Sequence, residues 1–245
     1  MKQNQIIEAV IQGFQPNELI FASRLFNDKL EGKVSEATYY KTLERMCKSG
    51  KLAKVAKGTY YLPKKSVFGD VPISEREIIT AFTKEGTGTV IGYSLYNHLG
   101  LTTQIPKTTE ILSSSLDSQM KTIRNVKVHY SSLEFSKAVE QMIQALDVLQ
   151  NYEKIQDINY PELVSYSRKI AEDFEQLVFD QVIDKQKYAK STIAFLQSIL
   201  NYYGKENRLN KYLSSLSKYK YPRMEELYAA AQLPQLFQGS NFNRC

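Results

Sequence analysis

The chain has no tryptophan, and only two cysteines and two histidines among its 245 residues. Cys47 and Cys245 stand far apart, so neither a disulfide framework nor a paired-cysteine zinc pattern is present, and a reducing compartment is expected. His98 and His129 have no Cys or His at metal-ligand spacing, and no G-x-S-x-G elbow is present. No catalytic residue, metal or cofactor is expected, and the chain reads as a non-enzyme. Gly86-Thr87-Gly88 with Gly92 mimics part of a phosphate loop, but it lacks the GK[ST] ending and follows a helical pattern, so it reads as a helix stop. The carboxylates Glu172, Asp173 and Glu175, like Glu225 and Glu226, read as solvated helix faces. No apolar run approaches the roughly 18 to 20 residues of a membrane helix. The opening MKQNQIIEAVIQGF lacks the apolar block and cleavage site of a secretion signal, so a cytoplasmic location is expected, without membrane contact.

Positive charge is present, and it is localised. Through Ser66 there are twelve Lys and Arg against six Asp and Glu, which accounts for the whole +6 of the chain; the remainder holds 20 of each sign. An excess confined to one segment is the electrostatic footprint of a nucleic-acid-binding module.

Within that segment, Val34 to Pro63 carries the signal. Ser35 is placed to cap a helix and Ser49-Gly50 to stop it. Ala37, Tyr40, Leu43, Met46 and Cys47 recur at steps of three and four and predict the core face. Thr38, Lys41, Thr42, Arg45 and Lys48 fall on the other side, a cationic face lined with hydroxyls that suits phosphates and base edges in a major groove. Tyr39 lies at the border, in reach of a phosphate or of the following hairpin. Two short strands joined by Ala56-Lys57-Gly58 add Lys54 and Lys57. Upstream, a helix from about Gln3 to Gly13 and a second over Ala22 to Leu30 precede the Glu31-Gly32-Lys33 turn. This order predicts a winged helix-turn-helix over 1–66, with Ser35, Thr38, Tyr39, Lys41, Thr42, Arg45, Lys48, Lys54 and Lys57 as its DNA-binding set.

The rest completes an α+β fold. A small α/β domain is expected over 67–132. Lys64-Lys65-Ser66 reads as a turn into it. A capping box at Ser74 and Glu77 starts a helix, Gly92 to Leu99 forms another, and Thr109 to Ser113 and Asn125 to Tyr130 are strands. Helical periodicity then predicts a bundle over 133–245: a helix from a capping box at Ser131 and Glu134, one after Tyr160-Pro161 running through Phe174 and Leu177, and one over Tyr188 to Tyr203. Shorter pieces follow over Arg208 to Leu216 and Pro222 to Ala231. Tyr202, Tyr203, Tyr212, Tyr219 and Tyr221 read as bundle core and rim, some of them a candidate toxin-docking or dimerisation surface.

At Lys57-Gly58-Thr59-Tyr60-Tyr61-Leu62-Pro63 with Phe68-Gly69, and again from Gly92 through Leu99-Gly100-Leu101-Thr102-Thr103-Gln104-Ile105-Pro106, the chain resembles a known family. It is similar there to the AbiEi antitoxins of bacterial abortive-infection, type IV toxin–antitoxin systems, including DUF6088-like members, over about its first half. The resemblance implies a winged helix that binds inverted repeats in double-stranded promoter DNA of its own operon, as a homodimer, and represses transcription. It also implies that the following domain counteracts a nucleotidyltransferase-like toxin, with or without a stable complex. The contrasting reading is a protein-interaction module whose winged helix is structural and whose helical region binds the partner.

Overall fold

The computed structural model describes residues 2–116 and 118–232; Cys245 lies outside them. In chain order the elements are α1 (Gln3–Gln12), β1 (Leu19–Phe21), α2 (Ala22–Leu25, continued by a π turn over Phe26–Leu30), α3 (Glu36–Lys48), β2 (Ala53–Ala56), β3 (Thr59–Tyr61), β4 (Lys64–Ser66), β5 (Gly69–Val71), α4 (Glu75–Thr83), β6 (Gly88–Ile91), α5 (Gly92–His98), β7 (Thr109–Ser113), β8 (Met120–Ile123), β9 (Val126–Tyr130), α6 (Lys137–Asn151), α7 (Tyr160–Asp173), α8 (Gln176–Lys185), α9 (Lys190–Tyr202) and α10 (Met224–Gln232). Helices and small antiparallel sheets make this an α+β protein. Among the described residues, no helix is long and apolar enough to cross a membrane.

Two compact units emerge: Met1–Glu85 with Ser115–Tyr130, and Gly86–Ser114 with Ser131–Cys245. The segment 67–132, expected as one domain, is divided between them, with β8 pairing β9 in the first and β6 pairing β7 in the second.

In the first unit β3 lies between β1 and β2, antiparallel to both, with Leu19 opposite Tyr61 and Ala53 also opposite Tyr61. The core beneath is built at helical spacing: Ile7 and Ile11 of α1 pack with Leu25, Leu43 and Met46, all buried. Each such side chain contributes about 1.5–3 kcal/mol by leaving water. Tyr60, half-buried, packs against this core, while Tyr61 is buried on the other face of the strand, as alternation along a strand requires. The expected capping box starts α4, with the Glu77 N–H donating to Ser74 Oγ at 3.2 Å and the Ser74 N–H to Glu77 Oε2 at 2.7 Å. Lys64-Lys65-Ser66 is not a simple turn; it is the first strand of a hairpin with β5.

In the second unit α6 buries Val139, Met142, Ile143, Leu146 and Leu149 along one stripe, against α8 and α9. Its N-cap is Ser136, whose hydroxyl accepts the Val139 N–H at 3.2 Å; the box expected at Ser131 and Glu134 does not form. Ser131 Oγ instead accepts from the Leu133 N–H and from Gln186 Nε2, and Leu133 and Phe135 are buried in the segment before the helix. The helix expected to run through Leu177 ends at Asp173. Phe174 is extended and buried, a separate α8 follows, and Leu177 is exposed. Arg208 to Leu216 holds one 3-10 turn, Leu209–Tyr212, in place of a helix. Gly88 begins a strand, β6, which the helix-stop reading of Gly86 to Gly88 had not anticipated.

One half-buried carboxyl anchors α5. Asp147 of α6 accepts the Gly92 N–H and the Tyr96 O–H, each at 2.8 Å on the same oxygen, and Asn151 Nδ2 at 3.3 Å on the other. Burial pushes its carboxyl above the usual range, against these hydrogen bonds, which pull it down.

Candidate nucleic-acid interface

The cap at the start of α3 forms as its residues dictate. The Thr38 N–H donates to Ser35 Oγ at 3.3 Å, and that hydroxyl donates to Thr38 Oγ1 at 2.7 Å. From there the helix turns a different face inward from the expected one. Tyr39, Leu43 and Met46 are buried at steps of four and three, together with Thr42. Tyr39 is wholly inaccessible, its ring against Phe26 and its hydroxyl donating to the Ala22 carbonyl at 3.0 Å; burial raises its phenol pKa. Thr42 Oγ1 lies 2.8 Å from the Thr38 carbonyl and 3.0 Å from Asn4 Oδ1.

Tyr39 and Thr42, expected among the DNA-binding residues, therefore belong to the core and are not on the outward face. Of the side chains expected inside, Ala37 and Tyr40 are exposed and Cys47 is half-buried, with burial raising its thiol pKa. The physical reason is local ambiguity at two adjacent tyrosines. Either could have been buried, and the Ala22 carbonyl decides for Tyr39 by offering its hydroxyl a partner away from water.

What α3 presents outward is Lys41, Glu44, Arg45 and Lys48, with Ser35 and the half-buried Thr38 at its start and Tyr40 beside them. Glu44, one turn before Lys48, holds that ammonium at 2.8 Å, and the hydrogen bond with Lys48 keeps the Glu44 carboxyl below its usual range. Arg45 Nη2 donates to Thr42 Oγ1 at 3.1 Å, which orients the guanidinium from the buried side. Sequence reading had passed over Tyr40 and Glu44 as parts of this surface. The steps 37, 41, 44 and 48 would have marked its centre line once Tyr39 was assigned inward.

The β2–β3 hairpin carries the remaining candidates. Lys54 is exposed opposite Tyr60, the register slips between Lys54 and Ala56, and Lys57 is exposed in the turn beside Gly58. Among the described residues, Lys41, Lys54 and Lys57 enter no ion pair. The hairpin turn is fastened to the helices through one residue: the Ala22 N–H donates to the Gly58 carbonyl at 2.9 Å, while the Ala22 carbonyl takes the Tyr39 hydroxyl. Chemically this is an array of exposed ammonium groups around one oriented guanidinium. It can neutralise phosphates, and Arg45 can donate two parallel hydrogen bonds to a base edge or a phosphate. Among the described residues, no three His, Cys, Asp or Glu side chains cluster as a metal site.

No curated protein matches the chain. A family model described as a family of unknown function, DUF6088, matches residues 7–170. That span takes in the whole of α3, the β2–β3 hairpin and the Gly92 to Pro106 segment. Covering well over half of the sequence, it shows that the chain belongs to DUF6088, a family of unknown function.

Proposed function

We propose that the first unit contains a winged helix-turn-helix, with α3 as recognition helix and the β2–β3 hairpin as wing, and that the protein is an antitoxin repressing its own operon. The observation that carries this reading is the outward face of α3, where Lys41 and Arg45 share one surface, tied through Ala22 to a hairpin whose Lys54 and Lys57 enter no ion pair among the described residues. The confinement of the +6 charge to the first 66 residues supports it. In this reading two copies bind an inverted repeat in the promoter, and the protein counteracts a nucleotidyltransferase-like toxin in the manner of the AbiEi antitoxins. Two measurements test it. Fluorescence anisotropy on the DNA upstream of the reading frame should show binding that weakens steeply with salt. Co-expression with a neighbouring nucleotidyltransferase should restore growth. Retention that is weak and indifferent to sequence would reject the DNA half.

A partner-binding role for the helical region is the second reading, supported by Tyr202, which remains 46% exposed although its ring meets Tyr203 edge-on and lies beside Tyr228. The neighbouring tyrosines are less exposed and make further contacts within the chain. Tyr203 and Tyr228 share a hydrogen bond, Tyr212 donates to Asp180, Tyr219 accepts the Ser214 N–H, and Tyr221 stacks on Phe195. On this reading Tyr202→Ala abolishes co-purification with the neighbouring gene product and leaves DNA binding unchanged.

A further inference from the structure

We propose that the β4–β5 hairpin is a second DNA arm, and that Phe68, with Val67, wedges against base pairs in the minor groove beside the major groove read by α3. The proposal rests on the DNA-binding reading of α3 given above. Its starting observation is a pair of large apolar side chains held out in water: Phe68 is 98% exposed and Val67 94%, and every residue of both strands is exposed. Burial of this tip contributes nothing to the fold, yet the hairpin is closed by its own bonds. Ser66 Oγ donates to the Gly69 carbonyl at 2.9 Å and accepts the Phe68 N–H at 3.2 Å. Gly69 takes a φ of 109°, a conformation that a side chain would disfavour. Lys65 pairs across the strands with Asp70.

The root is fixed as well. Asn17, in the left-handed region at φ 61°, takes the Lys64 N–H on Oδ1 at 3.3 Å. It donates its own N–H to the Leu62 carbonyl at 2.8 Å and its Nδ2 to Glu77 Oε1 at 3.1 Å. The arm is therefore positioned by the body of the first unit.

Strand register gives its direction. Ala56 is opposite Thr59 and Ala53 opposite Tyr61, so the β2–β3 turn and the β4–β5 hairpin leave β3 from opposite ends. Three strand residues separate their roots by roughly 10 Å, close to the ~12 Å width of a major groove. The second hairpin leaves beside Ala53, a few residues after the end of α3. In the proposal, a helix seated in the major groove is accompanied by two lysine-bearing hairpins that leave opposite ends of β3, and each reaches a flanking minor groove. Apolar wedges flanked by lysines are suited to that groove, because partial unstacking of a base step gives the wedge an apolar surface while ammonium groups hold the phosphates. Lys64 serves this role here, its side chain on the opposite face of the strand from the paired Lys65. Two apolar side chains are too few for the roughly 800 Å² per partner of a stable protein interface, and the charge of the segment favours a polyanion.

The test uses the full chain and a duplex of the DNA upstream of the reading frame, end-labelled with a donor and acceptor pair. Wild type is expected to raise energy transfer on binding, because wedging bends the duplex. Phe68→Ala should abolish that rise and weaken binding about tenfold, with an unchanged melting temperature because the residue is 98% exposed. Lys64→Ala should keep the bend and reduce the salt slope by about one unit. If wild type binds while the double variant Val67→Ser, Phe68→Ser binds and bends as well as wild type, the arm is not a wedge and the reading of α3 survives. If wild type binds no upstream duplex, both fall together. Loss of dimerisation by Phe68→Ala in light scattering, without any change in DNA binding, assigns the tip to a second copy and overturns the proposal. So does binding of the wild type, but not Phe68→Ala, to anionic vesicles.

Discussion

Tyr39 donates its hydroxyl to the Ala22 carbonyl at 3.0 Å from the centre of the first unit's core, and Ala22 in turn donates its N–H to Gly58 in the basic hairpin turn. Tyr40, its neighbour, stands 39% exposed on the cationic side. Tyr39→Phe is expected to lower stability by about 1 kcal/mol, the usual worth of a hydrogen bond that leaves its acceptor without a partner. Tyr40→Ala should leave stability within about 0.5 kcal/mol and weaken DNA binding. Urea denaturation and anisotropy on the same variants check this, and the opposite ranking would return Tyr39 to the surface.

Glu44 sits among Lys41, Arg45 and Lys48 and holds Lys48 at 2.8 Å. In the proposed DNA interface such a carboxylate repels phosphate and occupies a cation that could bind it. Glu44→Gln is therefore expected to raise affinity for DNA of any sequence and to steepen the salt dependence by about one unit, as Lys48 becomes available. If Glu44 accepts from a cytosine amino group, preference for the operator falls in the same variant. Unchanged affinity and slope between 50 and 200 mM salt would remove α3 from the interface.

Arg45 and the hairpin lysines should separate by kind of effect. Lys54→Ala and Lys57→Ala are expected to weaken all duplexes alike, each losing roughly one unit of salt slope. Arg45→Ala should cost on the order of 1–3 kcal/mol on the operator and much less on unrelated DNA, because its guanidinium is oriented by Thr42 and suited to paired contacts. A Lys41→Ala, Arg45→Ala protein that binds as wild type does would exclude α3 as the reading helix.

Asp147 makes a prediction about pH. Its folded pKa lies above the ordinary carboxylate value because of burial. Below the ordinary value both folded and unfolded chains hold the proton, and the group is neutral in effect. As pH rises from there through the folded pKa, the unfolded chain ionises first and this group's contribution to stability falls. Asp147→Asn keeps an oxygen for the Gly92 N–H and the Tyr96 O–H, so it should flatten that decline and match or exceed wild type at pH 7 in thermal unfolding. Asp147→Ala leaves both donors without their acceptor and should cost about 2–4 kcal/mol. A variant order of Ala above Asn would refute the assignment.

Much of the first unit was legible in the sequence because its signals are local. The Ser35 cap, the Ser74 and Glu77 box and the lysines of the β2–β3 turn depend on neighbours a few residues away, and each forms where the spacing placed it. The localised charge was likewise a property of composition alone. Other features were decided by contacts far along the chain. Of two adjacent tyrosines, the one buried is the one that meets Ala22. Ser131 has the spacing of a cap, yet Gln186, 55 residues on, claims its hydroxyl while Leu133 and Phe135 are buried ahead of the helix, so the cap passes to Ser136. The Lys64 strand forms only because Asn17 fixes its root and β5 returns beside it. Helix caps and charge distribution follow from short-range chemistry and could be read directly. Which face turns inward follows from where a buried polar group finds its partner, and only the folded chain brings those partners together.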